Sequence, residues 1–165
     1  NSRYKTYVGV EVPAFIDSAY HTIPDKNSRA ISGLSMGGHG AIYLAWNFPE
    51  TFGAAGSMSG AVDLMPWKGK YRLEKILGDT TNSNAFYNYS VVNAVKRPLV
   101  NFPALIIDCG INDSFINDNR LLHSNLISLE IPHDYIERPG KHNWDYWQNS
   151  VSFQLLFFHH FFEKK

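Results

Sequence analysis

The stretch RAISGLSMGG, residues 29–38, joins a short apolar run to a group of glycines around one serine. Its first part, Arg29 to Leu34, has the length and composition of a buried strand. The segment from Met36 to Asn47 follows with Ala, Ile, Leu and Trp, which suit a helix. The simplest structure for this stretch is therefore a strand, a sharp turn at Ser35 and a helix.

The pentapeptide Gly33-Leu34-Ser35-Met36-Gly37 matches the pattern G-x-S-x-G. In this pattern the serine occupies a strained strand-to-helix turn that exposes its Oγ at the edge of a sheet. We expect Gly33, Gly37 and Gly38 to provide the clearance that the turn needs, and the backbone N–H of Met36 to bind a developing oxyanion. An ordinary glycine-rich turn is the alternative, but the flanking strand and helix favour a nucleophile.

Further along the chain, short apolar runs alternate with longer segments of helical periodicity. The predicted strands are Gly53–Met58, Ala104–Asp108 and Asp134–Glu137, and the predicted helices run from about Phe115 to Glu130 and from Trp144 to Phe162. Strands separated by helices imply a mostly parallel sheet flanked by helices, with right-handed crossovers. We therefore expect an α/β fold that forms one domain over residues 1–165.

The segments near the two ends of the chain have less regular patterns. Apolar residues recur at helical spacing from Tyr4 to Ala19, but Gly9 and Pro13 predict a weak or kinked helix there, which we expect to cover one face of the sheet. The helix from Trp144 to Phe162 is apolar over most of its circumference. Such a helix must be buried on several sides or contact a partner.

Composition excludes several classes of function. The chain has 15 Lys and Arg against 15 Asp and Glu, so no net field attracts nucleic acid or an anionic membrane. No apolar run approaches the roughly 20 residues that span a bilayer. Cys109 is the only cysteine, which excludes an internal disulfide and leaves the compartment open. We expect no cofactor.

A serine nucleophile needs a histidine that takes its proton and a carboxylate that orients this histidine. Asp113 follows the apolar strand ALIID in a loop, whereas Asp108 falls within the strand and Asp118 in the next helix. An N-cap for the helix near Phe115 is an equally good explanation of Asp113 when it is considered alone. His142 lies in the loop after the last predicted strand, and is the predicted base.

The other histidines have less suitable positions. His39 and His123 fall inside helices, and His133 precedes a strand, at the sheet edge opposite the predicted site. The remaining ones, His21, His159 and His160, lie before the first strand or near the C-terminus. No spacing of His, Asp and Glu resembles a metal site, so we expect none. The order serine, aspartate, histidine, each after a strand, predicts a serine hydrolase.

The sequence resembles the esterase D family of α/β-hydrolases, which includes S-formylglutathione hydrolases, feruloyl and acetylxylan esterases, tributyrin esterases and mycolyltransferases. The segments that carry the resemblance are ISGLSMGGHGAIYLAWNFPETFGAAGSMSG, DCGINDSF and PGKHNWDYW. The resemblance implies that Ser35, Asp113 and His142 are the nucleophile, the acid and the base. Its polysaccharide-active members are consistent with a secreted or periplasmic location.

Members of this family have an eight-stranded sheet, with about half of the strands before the nucleophile. Only 34 residues precede Ser35 here. The resemblance therefore implies the C-terminal part of an α/β-hydrolase fold, with the N-terminal strands and the loop of the second oxyanion N–H missing. We expect the open sheet edge, together with the apolar last helix, to favour self-association.

The expected activity is hydrolysis of a small or carbohydrate-linked carboxylic ester through an acyl-Ser35 intermediate. Thioester hydrolysis and acyl transfer to a thiol or a sugar use the same residues and remain alternatives. A binding module that retains the scaffold is an alternative of another class. Among the aromatic residues, Trp144 and Phe115 are the predicted substrate contacts, although such residues more often belong to a core.

Overall fold

The computed structural model describes residues 3–81 and 83–163, and four parallel strands form its central sheet. The strands are β1 Ala30–Leu34, β2 Ala54–Met58, β3 Ala104–Gly110 and β4 His133–Arg138, and they lie side by side in that order. Because all strands run in the same direction, their carboxyl ends share one edge of the sheet. Ser35, the loop after β3 and the loop after β4 therefore lie at the same edge.

Helices connect the strands and lie on both faces of the sheet. In chain order they are α1 Tyr4–Thr6, α2 Val12–Ala19, α3 Met36–Asn47, α4 Glu74–Leu77, α5 Ser83–Tyr89, α6 Val91–Ala94, α7 Ile116–Ser128 and α8 Trp144–Glu163. A π-helical turn, Tyr7–Glu11, joins α1 to α2, and short 3-10 turns occur at Lys26–Ser28 and Met65–Trp67.

The main hydrophobic core lies between the sheet and the helices α3, α6 and α7. Ile42 and Leu122 from the helices meet Ala55 and Ile107 from the strands there. The opposite face of the sheet is covered by α8, where Phe158 packs on Ala54 and Ile106. The two central strands, β2 and β3, are thus buried on both faces, which explains why they read as continuous runs rather than as alternating patterns. The edge strand β4 is less buried and carries polar residues.

The strands and long helices agree with the sequence predictions to within about two residues. The predicted α/β fold with a parallel sheet is therefore confirmed. The bounds of α3 are those expected, and β3 and β4 extend slightly beyond ALIID and DYIE.

The first helical segment packs beside β1. Val8, Val12 and Ile16 line an open groove together with Ala30 and Ile31 of that strand. That the segment covers one face of the sheet stays a prediction. In α1, α2 and the π-helical turn, Gly9 alone is buried, beneath the ring of Phe48. The π-helical turn accommodates the break that the sequence attributed to Gly9 and Pro13.

Helix α8 buries one face only. Tyr146, Ser150, Gln154 and Phe158 form this face at intervals of four residues. Large apolar side chains remain on its other sides, among them Leu155, which is 63% exposed. The sequence predicted that this helix is either buried on several sides or contacts a partner. Within the described part of the chain, burial on several sides is wrong. No described helix is long and apolar enough to cross a membrane.

Candidate active site

Ser35 lies between β1 and α3 with backbone angles that side chains rarely adopt, φ 55° and ψ −120°. Its N–H donates to the carbonyl of Met58 at 2.9 Å, and its own carbonyl accepts from the N–H groups of His39 and Ala61. These hydrogen bonds to β2, α3 and the loop after β2 hold the strained turn in place. The sharp strand-to-helix turn expected from the sequence is present.

Two glycines make this turn possible. A Cβ on Gly33 would lie 2.5 Å from the carbonyl carbon and oxygen of Gly37, and one on Gly38 would lie 2.6 Å from Ser57 Oγ. A Cβ on Gly37 would have no atom within 4 Å. The expectation that Gly37 also provides clearance is therefore wrong, because Gly37 approaches Gly33 with its backbone and points its own Cβ position into open space.

The structure brings Ser35, His142 and Asp113 together in one hydrogen-bonded line. His142 Nδ1 lies 2.9 Å from Asp113 Oδ2, and Nε2 lies 3.0 Å from Ser35 Oγ. A carboxylate can only accept, so Nδ1 carries the hydrogen and Nε2 is left as the acceptor for the serine hydroxyl. This tautomer is the one in which a histidine can remove the proton of a serine.

Asp113 is 4% exposed, and its carboxylate accepts hydrogen bonds from two different residues. Its Oδ1 accepts from the N–H of Phe115 at 2.9 Å, while both oxygens face His142. Burial alone would raise the pKa of Asp113, but the hydrogen bonds from His142 and the Phe115 N–H outweigh it and hold this pKa below its usual value. The N-cap position of α7 is Phe115, which has no side-chain cap, and Asp113 bonds the N–H two residues after itself. The N-cap alternative for Asp113 is therefore wrong, whereas the contact with His142 occurs.

The loops that carry Asp113 and His142 are hydrogen-bonded to each other. The N–H of Ile111 donates to the carbonyl of Arg138 at 2.9 Å, and the N–H of Asn112 donates to that of Gly140 at 3.0 Å. Two backbone hydrogen bonds between adjacent loops fix the separation of the two side chains. The Asp113 carboxylate therefore contacts the imidazole of His142 directly.

Aromatic rings enclose the imidazole of His142. Phe115 and Trp147 pack edge-to-face on it, with ring centroids at 4.9 and 4.8 Å. Phe115 is 4% exposed, so most of its surface contacts protein, whereas Trp144 is 65% exposed beside Trp147. The rings restrict the rotation of His142, and Trp144 offers free surface near it.

Met36 is the first residue of α3 and follows Ser35 directly. The first N–H groups of a helix have no acceptor within that helix, and they carry the positive end of the helix dipole. The position of Met36 thus suits the oxyanion donor that the sequence predicts.

A buried acid lies behind Phe115. Trp67 packs on Phe115 at 4.7 Å between centroids, and its indole N–H donates to Asp118 Oδ2 at 2.6 Å. Burial raises the pKa of Asp118 to about 6, and the nearby charges of Asp63 and Asp113 add to the rise. The sequence placed Asp118 in the helix, as observed, but no pattern indicated its contact with Trp67.

The side chains of His39, His123 and His133 contact other parts of the fold. His39 is buried in α3, where Nδ1 lies 2.9 Å from the carbonyl of Ala61, and burial lowers its pKa. His133 and His123 contact each other, 2.7 Å apart, at the amino end of β4. That end of the sheet is opposite Ser35, as expected. In residues 3–81 and 83–163, no group of three or more His, Cys, Asp or Glu could hold a metal ion.

A parallel sheet with helices on both faces, and a serine on a strained turn at a carboxyl end, define part of an α/β-hydrolase fold. A sequence profile described as "Putative esterase" matches residues 1–158. The chain therefore belongs to the putative esterase family.

Individual relatives agree with this assignment. The chain is 27% identical to an acetyl esterase of Caldicellulosiruptor saccharolyticus, over 88% of this chain and 60% of that protein. It is 30% identical to an S-formylglutathione hydrolase of Rattus norvegicus, over 78% of this chain and 44% of that protein. A solved ferulic acid esterase superposes with a TM-score of 0.83 at 27% identity, over 96% of this chain and 61% of that chain. The chain thus spans about half of the length of these relatives.

Proposed function

We propose that this chain carries the catalytic residues of a serine esterase that hydrolyses carboxylic esters through an acyl-Ser35 intermediate. The observation that carries the proposal is the line from Ser35 Oγ through His142 to Asp113, with contacts of 3.0 and 2.9 Å. Hydrogen-bond geometry of this kind makes a serine hydroxyl nucleophilic in unrelated folds.

The reaction proceeds in two halves. Ser35 Oγ attacks the ester carbonyl while His142 Nε2 takes the hydroxyl proton and then gives it to the leaving alcohol. Water attacks the acyl-serine in the second half, His142 again takes and returns the proton, and the acid product leaves. Asp113 keeps the imidazole in the required tautomer, and the N–H of Met36 donates to the developing oxyanion.

The substrate is a small or carbohydrate-linked ester. The relatives named as an acetyl esterase and a ferulic acid esterase support this class. Trp144 and Phe115 remain the predicted substrate contacts, and Trp144 has the larger accessible surface for an aryl or sugar ring.

Thioester hydrolysis is the second candidate, supported by the 30% identity to an S-formylglutathione hydrolase. The same acyl-Ser35 could also pass its acyl group to a thiol or a sugar hydroxyl. Competition between p-nitrophenyl acetate and a formyl or acetyl thioester, measured as the ratio of their kcat/KM values, ranks the candidates. Product analysis with added acceptors detects transfer.

A fluorophosphonate probe tests the proposal directly, because it reacts with activated serines. We expect one adduct, located on Ser35 by peptide mapping and absent from Ser35→Ala. Ser128→Ala is the matched control, because its hydroxyl bonds within the exposed end of α7. A binding module would give no adduct, and modification of another residue would exclude Ser35 as the nucleophile.

A further inference from the structure

The loop that carries His142, residues 139–143, begins after Arg138 at the end of β4 and continues into α8. Both sides of this loop are connected to one carboxylate, that of Asp108 in β3. Asp108 is fully buried, and only its backbone position in the strand was evident from the sequence.

The side chains around Asp108 form a closed triangle of hydrogen bonds. Arg138 Nη2 donates to Asp108 Oδ2, and the hydroxyl of Ser150 donates to Oδ1. The same Arg138 nitrogen donates to Ser150 Oγ at 2.7 Å. Burial raises the pKa of Asp108, and the hydrogen bond from Ser150 and the charge of Arg138 act against that rise.

Aromatic rings of α8 complete the surroundings of Arg138. Its guanidinium lies 4.0 Å from the ring centroid of Phe153 and 5.4 Å from that of Tyr146. Such cation–π contacts restrict the orientation of the guanidinium plane. Arg138 therefore has little freedom to move relative to α8.

The loop itself is tightly enclosed between its neighbours. A Cβ on Gly140 would lie 2.2 Å from Tyr146 Cδ2, and a Cβ on Gly110 would lie 2.6 Å from the carbonyl oxygen of Gly140. The loop that carries Asp113 (residues 111–115, the acid loop), the histidine loop and the first turn of α8 are thus stacked without space for a methyl group. A shift of α8 relative to β4 would be transmitted to His142.

We infer that Asp108, Arg138 and Ser150 are positioning residues that hold both sides of the histidine loop and so set His142 against Asp113 and Ser35. The carboxylate holds the start of the loop through Arg138 and its continuation in α8 through Ser150. Asp108 also lies two positions before Gly110, the last residue of β3 before the acid loop. This inference rests on the proposed esterase reaction for its kinetic consequence.

Stability alone does not explain a cluster of this kind. A buried ion pair contributes little net free energy of folding, because the desolvation of both charges offsets their attraction. Positional accuracy has a larger effect, since a displacement of about 1 Å in a reacting group can cost about a hundredfold in rate. The triangle is therefore expected to affect kcat more than substrate binding.

The test uses Ser150→Ala, which removes one hydroxyl and leaves the ion pair in place. We expect kcat for p-nitrophenyl acetate to fall about ten- to a hundredfold, with KM changed by less than about threefold. Ser128→Ala is the control, since it makes the same substitution in the exposed part of α7. Asp108→Asn, if it folds, should lower kcat further because it leaves Arg138 without its counter-charge.

A second measurement is independent of activity. The hydrogen-bonded Nδ1 proton of His142 gives a downfield proton resonance, assigned by its loss in His142→Gln. We expect this resonance to broaden or disappear in Ser150→Ala and to persist in Ser128→Ala. An unchanged resonance overturns the inference, and so does a lost resonance with unchanged kcat. If Ser35→Ala retains full activity, the proposed function fails, and the resonance alone decides whether the triangle positions His142.

Discussion

Gly33 and Gly37 face each other across the turn at Ser35, and the contact is asymmetric. A Cβ on Gly33 would lie 2.5 Å from the backbone of Gly37, whereas a Cβ on Gly37 would contact nothing within 4 Å. The two glycines of the G-x-S-x-G pattern therefore have different physical roles. Gly33 permits the close approach of strand and helix, and Gly37 supplies the backbone that is approached.

Gly33→Ala and Gly37→Ala should accordingly behave differently. We expect Gly33→Ala to lose fluorophosphonate labelling of Ser35 and several kcal/mol of stability, because backbone cannot move aside for the methyl group. Gly37→Ala should keep its labelling and gain up to about 1 kcal/mol, since alanine favours a helix. Labelling rates and thermal unfolding of both variants provide the measurement. Equal losses in both would contradict the asymmetry.

The strands, the long helices and the three residues that the structure brings together could be predicted from the sequence, because all of them depend on local patterns. Continuous apolar runs mark strands that are covered on both faces, and the residues that follow such strands share an edge of the sheet. Ser35, Asp113 and His142 each follow a strand, so the topology places them at the same edge of the sheet.

Contacts between side chains far apart in sequence were not predictable in this way. Asp108 and Arg138 read as polar residues in or near strands, and nothing local indicates that they meet. The contact of Trp67 with Asp118 joins a short 3-10 turn to a helix 51 residues away. The open groove between the first helical segment and β1 was not predictable either. Helical spacing shows that this segment is a helix, but it does not show which strand the helix packs against.

Asp113→Asn should leave the fold intact and remove most of the activity. An asparagine can turn its NH2 group toward Nδ1, which then has to accept a hydrogen bond, so the imidazole hydrogen moves to Nε2. In this tautomer Nε2 cannot take the proton of Ser35, and kcat falls about ten-thousandfold in comparable triads. Asp134→Asn, at the opposite end of the sheet, is the control. Steady-state kinetics with p-nitrophenyl acetate test this expectation. A loss of less than about tenfold would mean that Asp113 only orders the turn before α7, through its bond to the N–H of Phe115.

Substitutions of Phe115 and Trp144 should change different kinetic constants. Phe115 packs on His142 and is 4% exposed, so Phe115→Leu should lower kcat by loosening the imidazole and should raise KM less than Trp144→Ala does. Trp144 is largely exposed, so Trp144→Ala should raise KM for aryl esters by about three- to tenfold and leave kcat nearly unchanged. The two variants are compared with aryl and acetyl esters. If Trp144→Ala has no effect on either ester, its role as a substrate contact is wrong.

Asp118 should make stability depend on pH. Its pKa is raised to about 6, above the value of about 4 in an unfolded chain, so the folded state holds the proton more strongly. The free energy of unfolding therefore falls as the pH rises from about 4 to about 6, by about 1–3 kcal/mol through this group. Asp118→Asn retains an oxygen for the indole N–H of Trp67 and removes this fall.

The variant should thus be more stable than the original chain at pH 7, with the difference vanishing near pH 4. Urea unfolding at both pH values measures it. A difference that does not change with pH would mean that Asp118 titrates at its ordinary value in the folded chain.

Self-association is expected from the apolar side chains that α8 leaves exposed and from the edge of β1. Within the described residues, β1 pairs on one side only, with β2. An unpaired strand edge accepts a further strand, and Leu155 and Leu156 would lose water on contact with a second copy. Sedimentation velocity at micromolar concentrations should show species larger than the monomer.

The substitutions Leu155→Lys and Leu156→Lys together should shift this equilibrium toward the monomer, because charges on α8 oppose burial. Ile76→Lys replaces another exposed apolar residue, on α4, and should leave the equilibrium unchanged. A single monomeric species of the original chain would contradict self-association. If Ile76→Lys had the same effect as the α8 substitutions, the association would depend on net charge and would not involve a specific face of α8.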